Sequence, residues 1–271
     1  MIYLKTIFTN IKELDLVCCQ IRELNSIVDK VILIEPSFTH NGAARNLIGL
    51  NSLSNKLSDS QLDKIIYLVV PKLDYIVVTE SEALHHKYET VTRGYFRKQI
   101  KLNYFDIIIS TDGDEILYND VVTNVVSKMK KSFLPFKRFK FKLHQFFYKD
   151  DLLAKNHPFI APGIYHYATT YLDKSFYITG FSNWRYKGTL VDDIGGVHFS
   201  WFLDKQEVLN KVKTWSHSSQ FTDLSDEDIL TIFEKDLNLP QYSFRHDPIK
   251  LTKIKNTKQF WPKSYNLLSF S

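Results

Sequence analysis

The chain has 271 residues, 44% of them hydrophobic and 24% charged, enough to bury one large α/β core or a core with a small appendage. Lysine and arginine exceed aspartate and glutamate by 35 to 30, and the surplus is local: residues 128–142 hold seven basic side chains and no acid. Such a run favours anionic partners, whether a nucleotide diphosphate, a nucleic acid or a membrane surface, while the two adjacent cysteines, Cys18 and Cys19, exclude a disulfide framework and a cysteine metal cage.

The opening MIYLKTIFTN reads as a short strand over Tyr3 to Phe8, without the long apolar core of a signal peptide. No apolar run approaches the roughly 20 residues that span a bilayer, so a cytoplasmic, reducing setting with no membrane span is expected. Thr9 and Asn10 cap a following helix, with Glu13 three residues on as in a capping box, and Leu14, Val17, Ile21 and Leu24 give that helix a sheet-facing stripe. Val31 to Ile34, ending in Glu35, and Ile65 to Val70, stopped by Pro71, are continuous apolar runs of the kind buried on both faces of a parallel sheet. A long helix is expected over Glu80 to Asn103, then another buried strand, Asp106 to Ser110. Strands alternating with helices predict an α/β fold with an open, mostly parallel sheet flanked by helices.

After Asp114 the pattern changes. A short helix over Val121 to Met129 precedes Phe139, Phe141 and Leu143, which alternate with Lys140, Lys142 and His144 as in an antiparallel strand with one basic face. Short strands and loops are expected from Asn156 to Gly196, and Asp204-x-x-Glu207 opens a helix running to about Ser218. The tail from Leu239, punctuated by Pro240, Pro248 and Pro262, is expected to wrap the domain. The chain divides on this reading into a ligand-binding half (1–118), a second half completing the site (119–238) and the tail (239–271).

The sharpest chemical signal is Asp112-Gly113-Asp114, directly after an all-apolar strand. Ligands of open α/β sheets bind beyond the carboxyl ends of the strands, and two carboxylates in a tight turn there can grip a hard divalent ion that neutralises a departing diphosphate. An ordinary Asp/Gly surface turn is the plainer account. Gly195-Gly196-Val197-His198 is the second constellation: glycines admit close approach of a ligand, and His198 can complete a metal shell or serve structure alone. Asp193 first and Asp192 second, just upstream, are candidate general bases, or an exposed loop pair; Asp74, in the loop after the Ile65–Val70 strand, is a third. Arg93 and Arg97, four apart on one helix face, can clamp phosphates, although Glu89 and Arg93 equally make a surface i,i+4 pair. Lys211 and His217 can reach the same diphosphate, or lie on a solvated helix.

The order of these segments resembles glycosyltransferase family 17. The matching stretches are TNIKELDLVCCQIRELNSIVDKVILIE (9–35), PSFTHNG (36–42), DIIISTDGDEI (106–116), GGVHFSWF (195–202) and KVKTWSHSS (211–219). The resemblance implies a GT-A (Rossmann-like) fold with a smaller antiparallel acceptor-side section. It implies an inverting enzyme that moves a sugar from a nucleotide sugar, UDP being the expected nucleotide, to a hydroxyl of a glycan or glycoprotein, with Mn²⁺ or Mg²⁺. On that basis Asp112, Asp114 and His198 would hold the metal. Thr9, Asn10 and Glu35, together with Arg93, Arg97, Asp112, Lys211 and His217, would surround the nucleotide. Val197 replaces the family's Trp and Leu117 its Pro, departures that bear on donor and acceptor more than on fold. One rival is a metal-dependent phosphodiesterase or nucleotidyltransferase, which also uses strand-end carboxylates, although residues 1–20 lack the glycines of a phosphate loop. The other is a nucleic-acid-binding module built on residues 128–142; Phe139, Phe141 and Leu143 read as core instead, and no nucleic acid is expected.

Overall fold

The structure, a computed structural model, describes residues 1–39, 42–72, 84–147, 149–154, 158–172, 187–201, 204–214, 223–235, 251–253 and 260–264. In chain order the elements begin with β1 (Ile2–Ile7), α1 (Ile11–Leu24), β2 (Lys30–Pro36), the single-turn helices α2 (Asn51–Ser54) and α3 (Asp59–Leu62), and β3 (Ile65–Val70). Next come α4 (Leu84–Gly94), α5 (Phe96–Gln99), β4 (Ile107–Asp112), β5 (Glu115–Leu117), α6 (Asn119–Lys130), β6 (Arg138–Phe147) and β7 (Lys149–Ala154). The remainder is β8 (Phe159–His166), α7 (Thr169–Leu172), β9 (Thr189–Trp201), α8 (Lys205–Thr214), α9 (Asp226–Lys235) and β10 (Leu251–Lys253).

The fold is mixed α/β, as the alternation of runs predicts. Its centre is four parallel strands in the order β3-β2-β1-β4. Antiparallel β8, β6, β7 and β10 extend it beyond β4, and β9 runs parallel to β6 while also pairing with β5. Period-2 alternation sends apolar side chains to both faces. Leu4, Val31, Leu33, Ile107 and Ile109 meet the stripes of α1 and α6. Tyr3, Ile32, Ile34 and Ile108 meet Tyr88 of α4 and Phe96 of α5 on the opposite side.

The expected cap of α1 is present: Asn10 Oδ1 accepts from the Glu13 amide at 3.0 Å. The helix expected over Glu80 to Asn103 is shorter and divided. Residues 80–83 lie outside the described part, and the chain turns extended at Ile100 (φ −123°, ψ 129°), where Ile100 and Leu102 pack onto the α4 face of the sheet. The strand expected to stop at Ser110 continues to Asp112. Of the tail, residues 260–264 pack back on the body. Trp261 stacks on Phe199 and Phe146, each at 5.2 Å, and Ser264 Oγ donates to Glu23 at 2.7 Å. Among the described residues no helix is long and apolar enough to cross a membrane.

One expectation needs correction. Gly195 and Gly196 do not form a loop open to a ligand; they lie within the thirteen-residue strand β9. A Cβ on Gly195 would stand 2.4 Å from Phe141 Cδ1, and one on Gly196 would stand 2.1 Å from the Ile116 carbonyl oxygen. These glycines let β9 press against β5 and β6. Gly196→Ala is therefore expected to lower unfolding stability in urea by about 1–3 kcal/mol through overpacking, whereas Gly94→Ala, whose Cβ meets nothing within 4 Å, should not. Equal midpoints for both variants would refute the packing role.

Candidate functional site at the β1–β4 crevice

The chain leaves β1 through α1 to β2 on one side, then returns through α4 and α5 to β4 on the other side of β1. Strand order reverses between β1 and β4, and in open α/β sheets the crevice beyond the carboxyl ends at such a reversal is where ligands bind. Ile7 stands opposite Asp112 in the register, so the residues after β1 and the Asp112-Gly113-Asp114 turn after β4 arrive side by side. A Cβ on Gly113 would sit 2.8 Å from the Ile7 carbonyl oxygen and 3.2 Å from Glu13 Oε2. The turn is thus seated against the first turn of α1, at a distance that suits glycine.

The two aspartates of the turn have different partners. Asp112 receives both arms of the Arg93 guanidinium, Nη1 at 2.5 Å and Nη2 at 2.6 Å, while Arg93 Nε donates to Glu89 at 2.9 Å. Its amide donates to buried Glu115 at 2.7 Å. Asp114 faces the other way. His198 Nε2 lies 3.7 Å from Asp114 Oδ1 and Lys211 Nζ 4.0 Å from Oδ2. Both arrive on the β9–α8 segment, whose strand pairs His198 with Glu115 and bonds the Phe199 amide to the Asp114 carbonyl at 2.8 Å. His198 is buried and stacked on Phe159, ring centres 3.9 Å apart. Lys211 also donates to Ser200 Oγ at 2.8 Å; burial holds its ammonium below the usual lysine range, while Asp114 and Glu13 pull it up.

Glu13 is the member of the site that its sequence context conceals. Its carboxylate accepts from the Thr9 amide at 2.5 Å, Thr9 Oγ1 at 3.0 Å and Asn10 Nδ2 at 2.7 Å. Thr9 and Asn10 thus stand at the end of β1, where their donors serve Glu13. Burial first, and the Asp114 charge second, push the Glu13 carboxyl up to about 7, against the opposing pull of Thr9 and Lys211. A helix-capping glutamate directly after the first strand of an α/β sheet is at the ligand edge by topology. That position, rather than the cap motif, is the signal in the sequence that points to it.

Other expected site residues lie elsewhere or have other work. Glu35 is fully buried and accepts from Arg45 (3.0 Å), the amides of Ile48 (2.7 Å) and Gly49 (3.1 Å), and Tyr67 (2.6 Å). It pins the chain after β2. Arg97 is on α5, its charge acting on buried Tyr165. Asp192 and Asp193 are exposed on β9, six and five residues before His198. β9 is irregular here, its register against β6 shifting between Leu190 and Gly196, and a strand rise of about 3.3 Å per residue puts them at most roughly 16–20 Å from His198. Asp74 and His217 lie outside the described residues.

Among the described residues no three His, Cys, Asp or Glu side chains are close enough to hold a metal ion. The donor chemistry of Asp114 with His198 nevertheless fits a divalent ion that takes one or two protein ligands and completes its shell with phosphate oxygens and water. Asp112 is instead engaged with Arg93.

No protein-family model matches the chain, and no curated protein matches it. Among solved structures it is similar to "Crystal structure of S. aureus TarS 1-349", with a TM-score of 0.37 and 11% identity over 86% of this chain and 81% of that one. Two chains alike only to that degree need share no activity. The resemblance to glycosyltransferase family 17 rests on the sequence motifs alone.

Because Glu13 is raised from near 4.5 to about 7, the folded state binds more protons than the unfolded chain between those values. Stability should therefore fall as pH rises across that window. Glu13→Gln is expected to flatten this slope in thermal unfolding at pH 5, 6 and 7. An unchanged slope would remove Glu13 as its source.

Proposed function

We propose that the protein is a GT-A-type glycosyltransferase that moves a sugar from a nucleotide sugar, UDP being the expected nucleotide, to a hydroxyl of a glycan or glycoprotein acceptor. The observation that supports this most is the meeting of Asp114, His198 and Lys211 at the β1–β4 reversal, 3.7 and 4.0 Å apart, where a diphosphate would lie beyond the strand ends. Asp114 and His198 would hold Mn²⁺ or Mg²⁺, which when bound supplies charge to neutralise the diphosphate as it leaves. Lys211 adds its ammonium to the same oxygens. Arg93, through its paired contacts, holds the Asp112 side of the turn in place.

Glu13 is our choice of base in preference to Asp193, Asp192 and Asp74, because it borders the turn at Gly113 and its carboxyl is raised to about 7, close to the working range of a general base. In a single displacement the acceptor oxygen bonds to the anomeric carbon from the face opposite the diphosphate. The carbon–oxygen bond to the diphosphate breaks with its electron pair, and the acceptor proton passes to Glu13. The anomeric centre inverts.

The test is turnover with a panel of UDP-sugars and Mn²⁺, following UDP release with and without glycan acceptors. Asp114→Ala is expected to lower kcat about 10²-fold or more. Glu13→Gln should lower kcat by about 10²–10⁴ with little change in donor KM, since the proton moves only in the transition state. Release of UMP instead of UDP would move the protein to the phosphodiesterase or nucleotidyltransferase class. An anomerically retained product would overturn the displacement.

Independently, UDP affinity should require the ion. Calorimetry giving equal affinity in EDTA and in Mn²⁺, or no loss with His198→Ala, would take the metal out of the site.

A further inference from the structure

The edge of the sheet opposite the crevice carries an apolar and basic surface that the proposed chemistry does not use. The loop joining α6 to β6 presents Phe133, Leu134 and Phe136 to solvent, 98%, 63% and 46% exposed. Exposure this large for three bulky apolar groups in four positions is unusual on a protein surface. The loop is preformed: Pro135 is buried, the Ser132 amide bonds to the Met129 carbonyl, and Ser132 Oγ donates to the Leu134 carbonyl at 2.9 Å.

A second exposed pair, Tyr104 and Phe105, each 62% exposed, stands before β4. The end of β8 ties the two segments together. His166 N donates to the Lys137 carbonyl at 3.1 Å, Tyr167 N to Asp106 at 2.7 Å and Ala168 N to Tyr104 at 3.1 Å. Since β4, β8 and β6 are successive neighbours, the two segments are about two strand spacings apart, roughly 10 Å. Both belong to one edge.

Among the described residues the charges flanking the α6–β6 loop are basic. Lys128, Lys130, Lys131 and Lys137 are exposed beside the loop, within the stretch of seven basic residues and no acid from 128 to 142. Asp106, next to Phe105, is 2% exposed and occupied by the Met1 ammonium and the Asn103 amide, both at 2.7 Å, and exposed Asp29 lies further along at the start of β1, where it accepts from the Ile2 amide at 2.7 Å.

We propose that this edge docks the protein on an anionic lipid bilayer, with Phe133, Leu134 and Phe136 entering the interface and the lysines resting on the headgroups. Apolar and aromatic side chains at a loop tip ringed by lysines combine the two attractions that hold peripheral proteins at membranes, burial in the acyl boundary and the negative surface potential. A nucleic acid would match the charge but would leave Phe133 and Leu134 in water.

The test is co-sedimentation of the full chain with phosphatidylcholine vesicles and with an equimolar phosphatidylcholine–phosphatidylserine mixture. Binding is expected to the mixture, weaker at high salt, and at least about tenfold weaker to phosphatidylcholine alone. Phe133→Ser with Leu134→Ser, and separately Lys130→Glu with Lys131→Glu, should each reduce binding on the order of tenfold or more. Thermal unfolding of the serine variant should be unchanged, because Phe133 and Leu134 contribute little to the core, while the glutamate variant should unfold slightly earlier, its acids standing at the C-terminus of α6. Failure to bind the mixed vesicles, or binding that neither variant alters, would overturn the proposal. Salt-sensitive oligonucleotide binding without vesicle binding would reassign the edge to nucleic acid. A dimer in sedimentation velocity that the serine variant dissociates, again without vesicle binding, would reassign it to self-association.

Discussion

The site depends on one strand pairing. Parallel register between β1 and β4, with Ile7 against Asp112, brings residues about a hundred positions apart in the chain to the same edge. The ends of β1 and β4 could not serve one ligand if β4 had added beyond β3. It adds on the other side of β1 because α1 and α4 cover opposite faces of the sheet, each burying its own set of alternate strand residues. Gly113 then sits against the Ile7 carbonyl at a distance a larger residue would violate. Apolar burial on two faces fixes the order of the strands, and the order of the strands assembles the acids.

Assembling acids in a half-buried crevice is costly unless each is compensated. The structure does this with separate devices. Asp112 has a bidentate arginine that is itself only 8% exposed. Removing one partner of such a pair would strand a charge, at a cost of about 3–5 kcal/mol where burial is deep. Asp114 has the more distant His198 and Lys211. Glu13 has hydrogen bonds from Thr9 and Asn10, yet its carboxyl remains raised to about 7. Beneath them, fully buried Lys5 on β1 reaches Ser110 Oγ at 3.4 Å, on the sheet face that by alternation also carries Asp112. The result is a gradient within one crevice, from the tightly paired Asp112 to the more loosely compensated Asp114. The more loosely held carboxylate is the better placed to exchange its partners for a ligand.

How much of this the sequence exposes depends on the range of each interaction. Local signals were legible: the continuous runs of β2 and β4, the stripe and cap of α1, and the acid turn at a strand end. Each is set within about ten residues. Glu13 was legible as a cap and not as a site residue, because its second neighbour, Gly113, is a hundred residues away. Glu35 looked like an acid at a strand end, and it is one; that Arg45, Ile48, Gly49 and Tyr67 would consume its oxygens depends on the path of the following loop. Gly195 and Gly196 misled for a related reason. Glycine marks close approach of something, but the sequence does not distinguish a ligand from Phe141 and the backbone of β5. Read as strand, they place Asp192 and Asp193 on β9, exposed, six and five residues before His198.

The same parallel arrangement gives the molecule two edges with different chemistry. Carboxyl ends of β1 and β4 gather acids, an imidazole and cations around a crevice, while the start of β4, the start of β6 and the end of β8 gather Tyr104, Phe105 and Phe133 beside lysines. β4 itself is six residues long, so the two edges are separated by about 17 Å of buried strand at the usual rise. That is beyond the range of roughly 7–10 Å within which substitutions normally couple. A change at the aromatic loop is therefore expected to leave the crevice intact, and a change at Asp114 to leave the loop intact. An apolar loop this exposed adds little to the core and invites aggregation, which is the physical reason to look for a partner that covers it.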